Sequence, residues 1–306
     1  MNEVAAPAVR RAAISPFRRL LWHVNRSPLA HVVKAGVDVA NAGEKRRRRA
    51  AGRALAIAPA VAARAEALRR DGWARLDDLL DRASLEAVGA AGEAKLARLA
   101  EAEASQTERH KSFWVRLLDE DLIDGALPSD HPFVAFALQP ALVGLAAARL
   151  GELPLLESVL LTLSLPSEAA LSYSQLWHRD HDDTVTLKTF VYLTEVADRA
   201  DGPFTFMPGA ASDRVGRSLR SHLADSAFAG RGGGAAPVEM IAPRLAAFAV
   251  ETSRCWHMGS RLAPGRRRLM LTLTWVTSPR IYPGWRPRVR ETSPLGERER
   301  MVLGLA

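Results

Sequence analysis

The pattern of apolar positions changes about halfway along the chain. Residues 50–104 are rich in alanine, leucine, arginine and glutamate, which predicts helices. One helix is expected to end at Asp71-Gly72, and a second is expected to begin near Ser84, a residue type that caps helix N-termini. A segment punctuated by prolines follows, and a further short helix is predicted over 141–150. The N-terminal third is therefore expected to be mainly helical.

The second half instead contains short apolar segments that are rich in β-branched residues and partly alternate, as strands do. Glycine and proline separate them, notably in the GRGGG run at 230–234. No segment repeats at a fixed period, which excludes a solenoid. The pattern indicates a sandwich or jelly roll flanked by helices. Strands are predicted within 158–166, 184–196, 202–209, 245–252 and 268–277.

The chain length of 306 residues is enough for one large domain with a proper core. We expect a basic extension over 1–55 and one domain over 56–306, with a helical part at 56–150 and a β core at 151–280. The single cysteine, Cys255, excludes an intramolecular disulfide. No run of 18 apolar residues occurs, and no signal-peptide pattern follows the N-terminus. A cytoplasmic location is therefore expected.

Charge is distributed unevenly along the chain. The net charge is +8, but residues 1–53 hold 12 Lys/Arg and 3 acidic residues, so the remainder sums to −1. Within this segment, residues 45–49 form the cationic block KRRRR. The simplest interpretation is a solvated or partly disordered arm. A contact of residues 1–53 with anionic membrane is the alternative, because apolar residues lie at helical spacing beside the arginines, and it gives a membrane-peripheral location. Those apolar residues are Phe17, Leu20, Leu21 and Val24.

Nucleic acid is not expected as a partner. The basic residues are concentrated in the N-terminal segment, and no basic face interleaved with aromatic residues recurs later in the chain.

The segment SQLWHRDHDD at 174–183 contains two overlapping His-x-Asp pairs, His178/Asp180 and His181/Asp183. In a strand, residues two apart share a face, so either pair could direct both side chains at one metal ion. A solvated polar run is the alternative for both pairs. We favour His178/Asp180, because only this register has a tryptophan immediately before the motif.

A third ligand is expected from a distant strand. His257 is the best candidate, because it follows the strand-like segment 245–252 and precedes the strongest predicted strand. Two histidines and one aspartate about eighty residues apart match the 2-His-1-carboxylate arrangement of non-haem Fe(II) oxygenases. The remaining histidines lie in the N-terminal segment, the helical third or predicted loops: His23, His31, His110, His131 and His222.

These motifs together resemble a known family. WHRD at 177–180, DGPFTFMPG at 201–209 and HMGS at 257–260, followed by an arginine at 268, look like the phytanoyl-CoA dioxygenase-like Fe(II)/2-oxoglutarate oxygenases. The stretch LRRDGWARLDDLLDRASLEAV is similar to the usual N-terminal opening of that family. The resemblance covers about residues 66–277. It implies a mainly β fold with α-helices, a double-stranded β-helix (a cupin-like jelly roll) flanked by N-terminal helices.

The resemblance also implies the ligands. His178, Asp180 and His257 would hold Fe(II), and O2 and the cosubstrate 2-oxoglutarate would react there. Arg268, eleven residues after the distal histidine, would bind the distal carboxylate of 2-oxoglutarate, for which the planar fork of arginine is better suited than lysine. Two neighbours compete with Arg268 in this role, and two further residues are expected to contact the cosubstrate or support the ligands. The competitors are Arg266 and Arg267, and the further residues are Ser260 and Gln175.

The reaction implied by the resemblance is hydroxylation of a C–H bond of a small-molecule, lipid or glycan-type substrate, with release of succinate and CO2. Halogenating relatives lack the carboxylate ligand, so Asp180 disfavours halogenation. A lipid-linked substrate would agree with the basic N-terminal segment. Two other classes remain open. One is a cupin-type metalloenzyme with non-oxidative chemistry, and the other is a non-catalytic membrane-peripheral adaptor that works through residues 1–53.

Overall fold

The structure of the chain is a computed structural model. It describes residues 20–21, 23–25, 27, 29–101, 113–216, 218, 221–229, 231, 233–281 and 288–306. Phe17 and His110, which the sequence singled out, lie outside the described residues. No described helix is long and apolar enough to cross a membrane.

Helices dominate the N-terminal third, as the composition predicted. The helix before Gly72 ends where expected, because Gly72 adopts the left-handed conformation (φ 79°). The next helix begins earlier than predicted, since the side chain of Asp81 accepts a hydrogen bond from the amide of Ser84 (2.8 Å). Asp81 therefore caps this helix, not Ser84. The helices are α1 (Ala30–Ala40), α2 (Ala42–Arg53), α3 (Pro59–Asp71), α4 (Arg82–Glu101), α5 (Pro132–Ala137), α6 (Pro140–Leu150), α7 (Gly209–Val215), α8 (Asp225–Phe228) and α9 (Glu297–Leu303).

All five apolar segments that were predicted as strands contain strands. The strands that were not predicted are two or three residues long, which is too short for a periodic pattern to be recognised. The strands are β1 (Trp73–Arg75), β2 (Trp114–Arg116), β3 (Ala126–Pro128), β4 (Leu155–Ser164), β5 (Trp177–His178), β6 (Leu187–Tyr192), β7 (Thr205–Phe206), β8 (His222–Leu223), β9 (Val238–Glu239), β10 (Ala247–Glu251), β11 (His257–Met258), β12 (Arg268–Val276) and β13 (Arg288–Arg290).

The strands form two antiparallel sheets that pack face to face. The larger sheet has the order β1-β10-β6-β12-β4-β2, and the smaller has the order β8-β5-β11-β7-β9. A separate parallel pair joins β13 to β3. This is the double-stranded β-helix that the sequence predicted. The edge strands β1 and β2 come from the 56–150 region, so the predicted helical part also contributes to the main sheet.

Alternation along the strands of the large sheet produces two cores. Val191, Ala249 and Leu271 belong to a cluster shared with residues of α3, α4 and α6. Phe190 and Phe248 point the other way, into an aromatic layer that includes residues of the small sheet. The helices therefore cover one face of the large sheet, and the small sheet covers the other face. The candidate metal residues lie at the second interface.

The N-terminal cationic block is not uniformly solvated. Arg48 is only 2% exposed and donates hydrogen bonds to the carbonyls of Leu153, Pro154 and Met301 (3.2, 3.3 and 2.7 Å). Lys45 is also buried and pairs with Glu152 (2.5 Å). The expectation of a solvated arm is therefore wrong for these two residues, because main-chain oxygens and a buried carboxylate compensate their charges. The other three arginines of the block, at positions 46, 47 and 49, are exposed.

Candidate metal centre

The two histidines of the predicted triad are strand partners. β5 pairs with β11 in the register that places His178 opposite His257, and the centroids of their rings lie 4.2 Å apart. The Nδ1 atom of each ring donates to the carbonyl two residues earlier, from His178 to Leu176 (2.8 Å) and from His257 to Cys255 (2.9 Å). This fixes the tautomer, so the lone pair of each imidazole is on Nε2, the atom that remains for a metal.

Asp180 completes the cluster from just beyond the end of β5. The sequence predicted that it shares a strand with His178, but the strand ends at His178. Asp180 is held by its amide, which donates to the carbonyl of Thr252 (2.9 Å). Its Oδ2 atom lies 3.6 Å from Nε2 of His257. The potential ligand atoms of the three residues lie within 4.8 Å of one another, and no other such group occurs among the described residues.

Burial governs the protonation of the two histidines. It lowers the pKa of His178 well below its usual value, with a contribution from the neighbouring His257, and it also lowers the pKa of His257. For Asp180, burial acts to raise the pKa, but the nearby charge of Lys188 holds it well below its usual value. Two neutral imidazoles and one carboxylate are thus present at neutral pH, which is the protonation state that metal ligation requires.

Arg268, the predicted anion-binding residue, is the first residue of β12 and is 1% exposed. Its guanidinium donates to Ser260 Oγ (2.9 Å) and to the carbonyl of Gly202, and it lies 5.9 Å from the ring centroid of Tyr192. Its Nε atom is buried without a hydrogen-bond partner, and no ion pair involving Arg268 occurs among the described residues. Burial lowers its pKa. A buried guanidinium without a counter-anion is suited to an anionic ligand.

Ser260 contacts this arginine directly, whereas Gln175 contacts Ser260. The hydroxyl of Ser260 accepts from the indole of Trp114 (2.8 Å) and from Arg268, and it contacts the hydroxyl of Ser164 (3.0 Å). Gln175 donates from Nε2 to the carbonyl of Ser260 (3.0 Å). Ser260 has a φ of 60°, a left-handed conformation that is uncommon for serine, and this hydrogen bond holds it. Gln175 thus supports the serine, and its direct contact with a cosubstrate stays a prediction.

The structure separates the three consecutive arginines. Arg266 is half exposed in the turn before β12 and lies 3.4 Å from Oδ1 of Asp201. Arg267 is exposed. Only Arg268 points into the interior between the sheets. The strand begins at Arg268, so Arg266 and Arg267 lie in the turn before it.

The alternative pair His181/Asp183 takes part in hydrogen bonds that hold the loop after β5. Asp183 is buried, and its two carboxylate oxygens accept from main-chain amides, Oδ1 from Thr184 (2.8 Å) and Oδ2 from Thr277 (3.0 Å). The main-chain carbonyl of His181 accepts a hydrogen bond from Asn25 of the N-terminal segment. Asp183 therefore holds the loop after the candidate metal residues against the chain beyond β12.

Two residues near the triad were not predicted. Lys188 of β6 is buried, and its Nζ atom lies 2.7 Å from Oδ2 of Asp180. Its signal in the sequence was a single charge within an apolar strand. His222, which was expected in a loop, is in β8 opposite His178, and the two rings stack at 5.4 Å. β8 has only two residues, so no periodicity identified it.

Comparisons with known proteins give the fold. No protein-family model matches the sequence, and no curated protein matches it. The structure is similar to the non-heme alpha ketoglutarate dependent epimerase SnoN from nogalamycin biosynthesis, with a TM-score of 0.50, 20% identity and coverage of 78% of this chain and 97% of that chain. A complex of SnoN with Fe3+, alpha ketoglutarate and nogalamycin RO has a TM-score of 0.50, 19% identity and coverage of 72% and 84%.

A third structure, EctD from S. alaskensis with 2-oxoglutarate and 5-hydroxyectoine, has a TM-score of 0.48, 16% identity and coverage of 77% and 83%. The similarity to SnoN agrees with the double-stranded β-helix described above. Because no family model matches, membership of the phytanoyl-CoA dioxygenase-like family is a proposal.

Proposed function

We propose that the chain is an Fe(II)- and 2-oxoglutarate-dependent dioxygenase of the phytanoyl-CoA dioxygenase-like type, which hydroxylates a C–H bond of a small-molecule substrate. The observation that carries the proposal is the cluster of His178, Asp180 and His257, whose potential ligand atoms lie within 4.8 Å of one another. Two imidazoles and one carboxylate on one side of an ion leave the remaining positions open, as Fe(II) oxygenases require.

The residues present fit both groups that the proposal needs. The hydrogen bonds from both Nδ1 atoms leave Nε2 of His178 and of His257 as the nitrogens that would bind an ion, and Asp180 would supply the negative charge. The buried guanidinium of Arg268 has no counter-anion among the described residues, which fits the distal carboxylate of 2-oxoglutarate. When bound, the iron and 2-oxoglutarate supply the oxidising chemistry with O2, and succinate and CO2 are released.

The protein's own contribution is to orient these groups and to exclude water. Phe204 stacks on the ring of His257 (5.3 Å), and Phe190 packs against Phe204 (4.4 Å), so the side of the His257 ring that faces Phe204 is apolar. Trp114 donates to Ser260, and Ser260 in turn orients Arg268. Pre-organised partners of this kind hold the anion in place, and the apolar layer limits side reactions with water.

One fold supports several reactions, so the reaction has to be argued from the site itself. We propose hydroxylation and not halogenation, because the site retains Asp180, the carboxylate that halogenating relatives lack. The substrate class we propose is a small molecule. A lipid-linked substrate and a contact of residues 1–53 with anionic membrane stay predictions, for which the exposed arginines at positions 46, 47 and 49 would supply positive charge.

The test is the visible absorbance spectrum of the protein with Fe(II) under anaerobic conditions, with and without 2-oxoglutarate. Bidentate chelation of a facial-triad iron by 2-oxoglutarate gives a weak metal-to-ligand charge-transfer band. We expect this band in the wild type and its loss in His178→Ala, Asp180→Ala and His257→Ala. His181→Ala, three residues from His178, is the matched control and should retain the band. Absence of the band in folded wild-type protein would overturn the proposal.

Formation of succinate separates the proposal from a cupin-type enzyme with non-oxidative chemistry. We expect iron-dependent conversion of 2-oxoglutarate into succinate in air, at a slow rate without substrate. A protein that binds metal but never forms succinate would favour the cupin-type alternative.

A further inference from the structure

Lys188 occupies an interior position of the large sheet. Phe190 and Tyr192, two and four residues further along β6, belong to the aromatic layer between the sheets, and alternation places Lys188 on the same face. The side chain of Lys188 is 11% exposed. An ammonium group this far from water is costly unless anionic groups compensate it. The lysine is therefore expected to have specific partners.

Two carboxylates provide this compensation. The Nζ atom of Lys188 lies 2.7 Å from Oδ2 of Asp180 and 3.7 Å from Oδ2 of Asp182. The same Oδ2 atom of Asp180 lies 3.6 Å from Nε2 of His257. The ammonium thus lies beside the triad, paired with one carboxylate that belongs to the triad and with a second that does not.

Asp182 is a potential competitor at this position. Carboxylates are good ligands for divalent ions, and Asp182 is two residues from Asp180 on the same loop. A fourth protein ligand would take one of the positions that 2-oxoglutarate and O2 need. Asp182 is nevertheless not part of the group whose ligand atoms lie within 4.8 Å of one another. Its Oδ2 atom instead forms a long ion pair with Lys188 (3.7 Å).

We propose that Lys188 is a positioning residue that engages Asp180 and Asp182 together and thereby limits the metal to three protein ligands. The inference rests on the proposed function, because only a metal that must also bind 2-oxoglutarate requires open positions. Without the ammonium, two like charges would lie side by side next to two imidazoles. A divalent ion would then attract both carboxylates, and Asp182 would become a fourth ligand.

The experiment combines Lys188→Met with two measurements, calorimetric titration with Mn(II) alone and the visible band of the Fe(II) protein with 2-oxoglutarate. In Lys188→Met we expect the affinity for Mn(II) to rise about tenfold or more, because a nearby positive charge is lost and an anionic donor is gained. We expect the 2-oxoglutarate band to weaken strongly. Adding Asp182→Asn to Lys188→Met should restore the band.

Lys95→Met is the matched control, because Lys95 also lies between two carboxylates, Glu120 at 2.9 Å and Asp121, away from the triad. It should change neither measurement. If Lys188→Met does not fold, Lys188→Gln replaces it and should change both measurements in the same directions.

An unchanged or lower Mn(II) affinity in the Lys188 variants overturns the inference, and so does loss of the band without rescue by Asp182→Asn. These outcomes can be distinguished from a wrong assignment of the proposed function, because in that case the wild-type protein itself gives no visible band with Fe(II) and 2-oxoglutarate. That result would overturn both proposals.

Discussion

His178 and His257 face each other across β5 and β11, and each ring is held by the carbonyl two residues before it in its own segment. The same local arrangement therefore orients both imidazoles. Because side chains alternate along a strand, a shift of one residue in the pairing of β5 with β11 would turn one ring away from the other. The pairing of these two short strands is thus a condition for the candidate metal centre.

Arg268→Lys is expected to weaken binding of 2-oxoglutarate at least about tenfold, because lysine cannot offer the two parallel donors of the guanidinium fork to a carboxylate. Binding of Fe(II) or Mn(II) alone should be little affected, since Arg268 is not among the three clustered ligands. The measurement is a titration of the visible band with 2-oxoglutarate. Arg267→Lys is the matched control, because Arg267 is exposed. Equal affinities for the wild type and Arg268→Lys would show that another residue binds the distal carboxylate.

Arg48→Ala is expected to lower the free energy of unfolding by about 3 kcal/mol, because it removes a buried guanidinium that donates hydrogen bonds to three main-chain carbonyls. Chemical denaturation measures this change. Arg49→Ala is the matched control at an exposed neighbouring position, where a change within about 0.5 kcal/mol is expected. Similar stabilities of the two variants would instead support the interpretation of residues 45–49 as a solvated arm.

The hydrogen bonds of Arg48 explain why the prediction of a solvated arm was wrong for this residue. A run of five cations resembles a solvated block, and nothing in KRRRR distinguishes Arg48 from Arg49. The difference arises from tertiary structure, because Arg48 faces the carbonyls of Leu153 and Met301. Those partners are more than a hundred residues away, so local pattern could not reveal them. A deletion of 1–53 would therefore remove buried contacts as well as surface charge.

Long apolar segments made the large sheet predictable. β12 lies entirely within the predicted 268–277, and β4 begins three residues before the predicted 158–166 and otherwise lies within it, since nine or ten residues are enough to show a strand pattern. The two-residue strands β5, β8 and β11 carry no such signal, although two of them hold His178 and His257. The triad itself was identified from residue types and order. Lys188 was missed, because its partner Asp180 is brought to it only by the folded loop.

Asp183→Asn is expected to destabilise the protein by about 2 kcal/mol while leaving metal binding intact. Both carboxylate oxygens accept hydrogen bonds from main-chain amides, whereas asparagine has one acceptor and would place its amino group against the other N–H. Denaturation with and without Mn(II) measures both effects. Loss of Mn(II) binding in a folded Asp183→Asn protein would instead favour the pair His181/Asp183 as ligands.

Cys255 is expected to resist thiol reagents in the native protein. It is fully buried, its Sγ atom lies 3.6 Å from the carbonyl of Gly72, and burial raises the pKa of the thiol to about 12. At pH 8 almost no thiolate is therefore present, and reagents cannot reach the sulfur. Labelling with a chromogenic disulfide should proceed only as fast as the chain opens, whereas denatured protein should release one equivalent at once, because the chain contains one cysteine. Rapid labelling of folded protein would contradict this, and it would show that the junction between α3 and β1, which packs on Cys255, opens under native conditions.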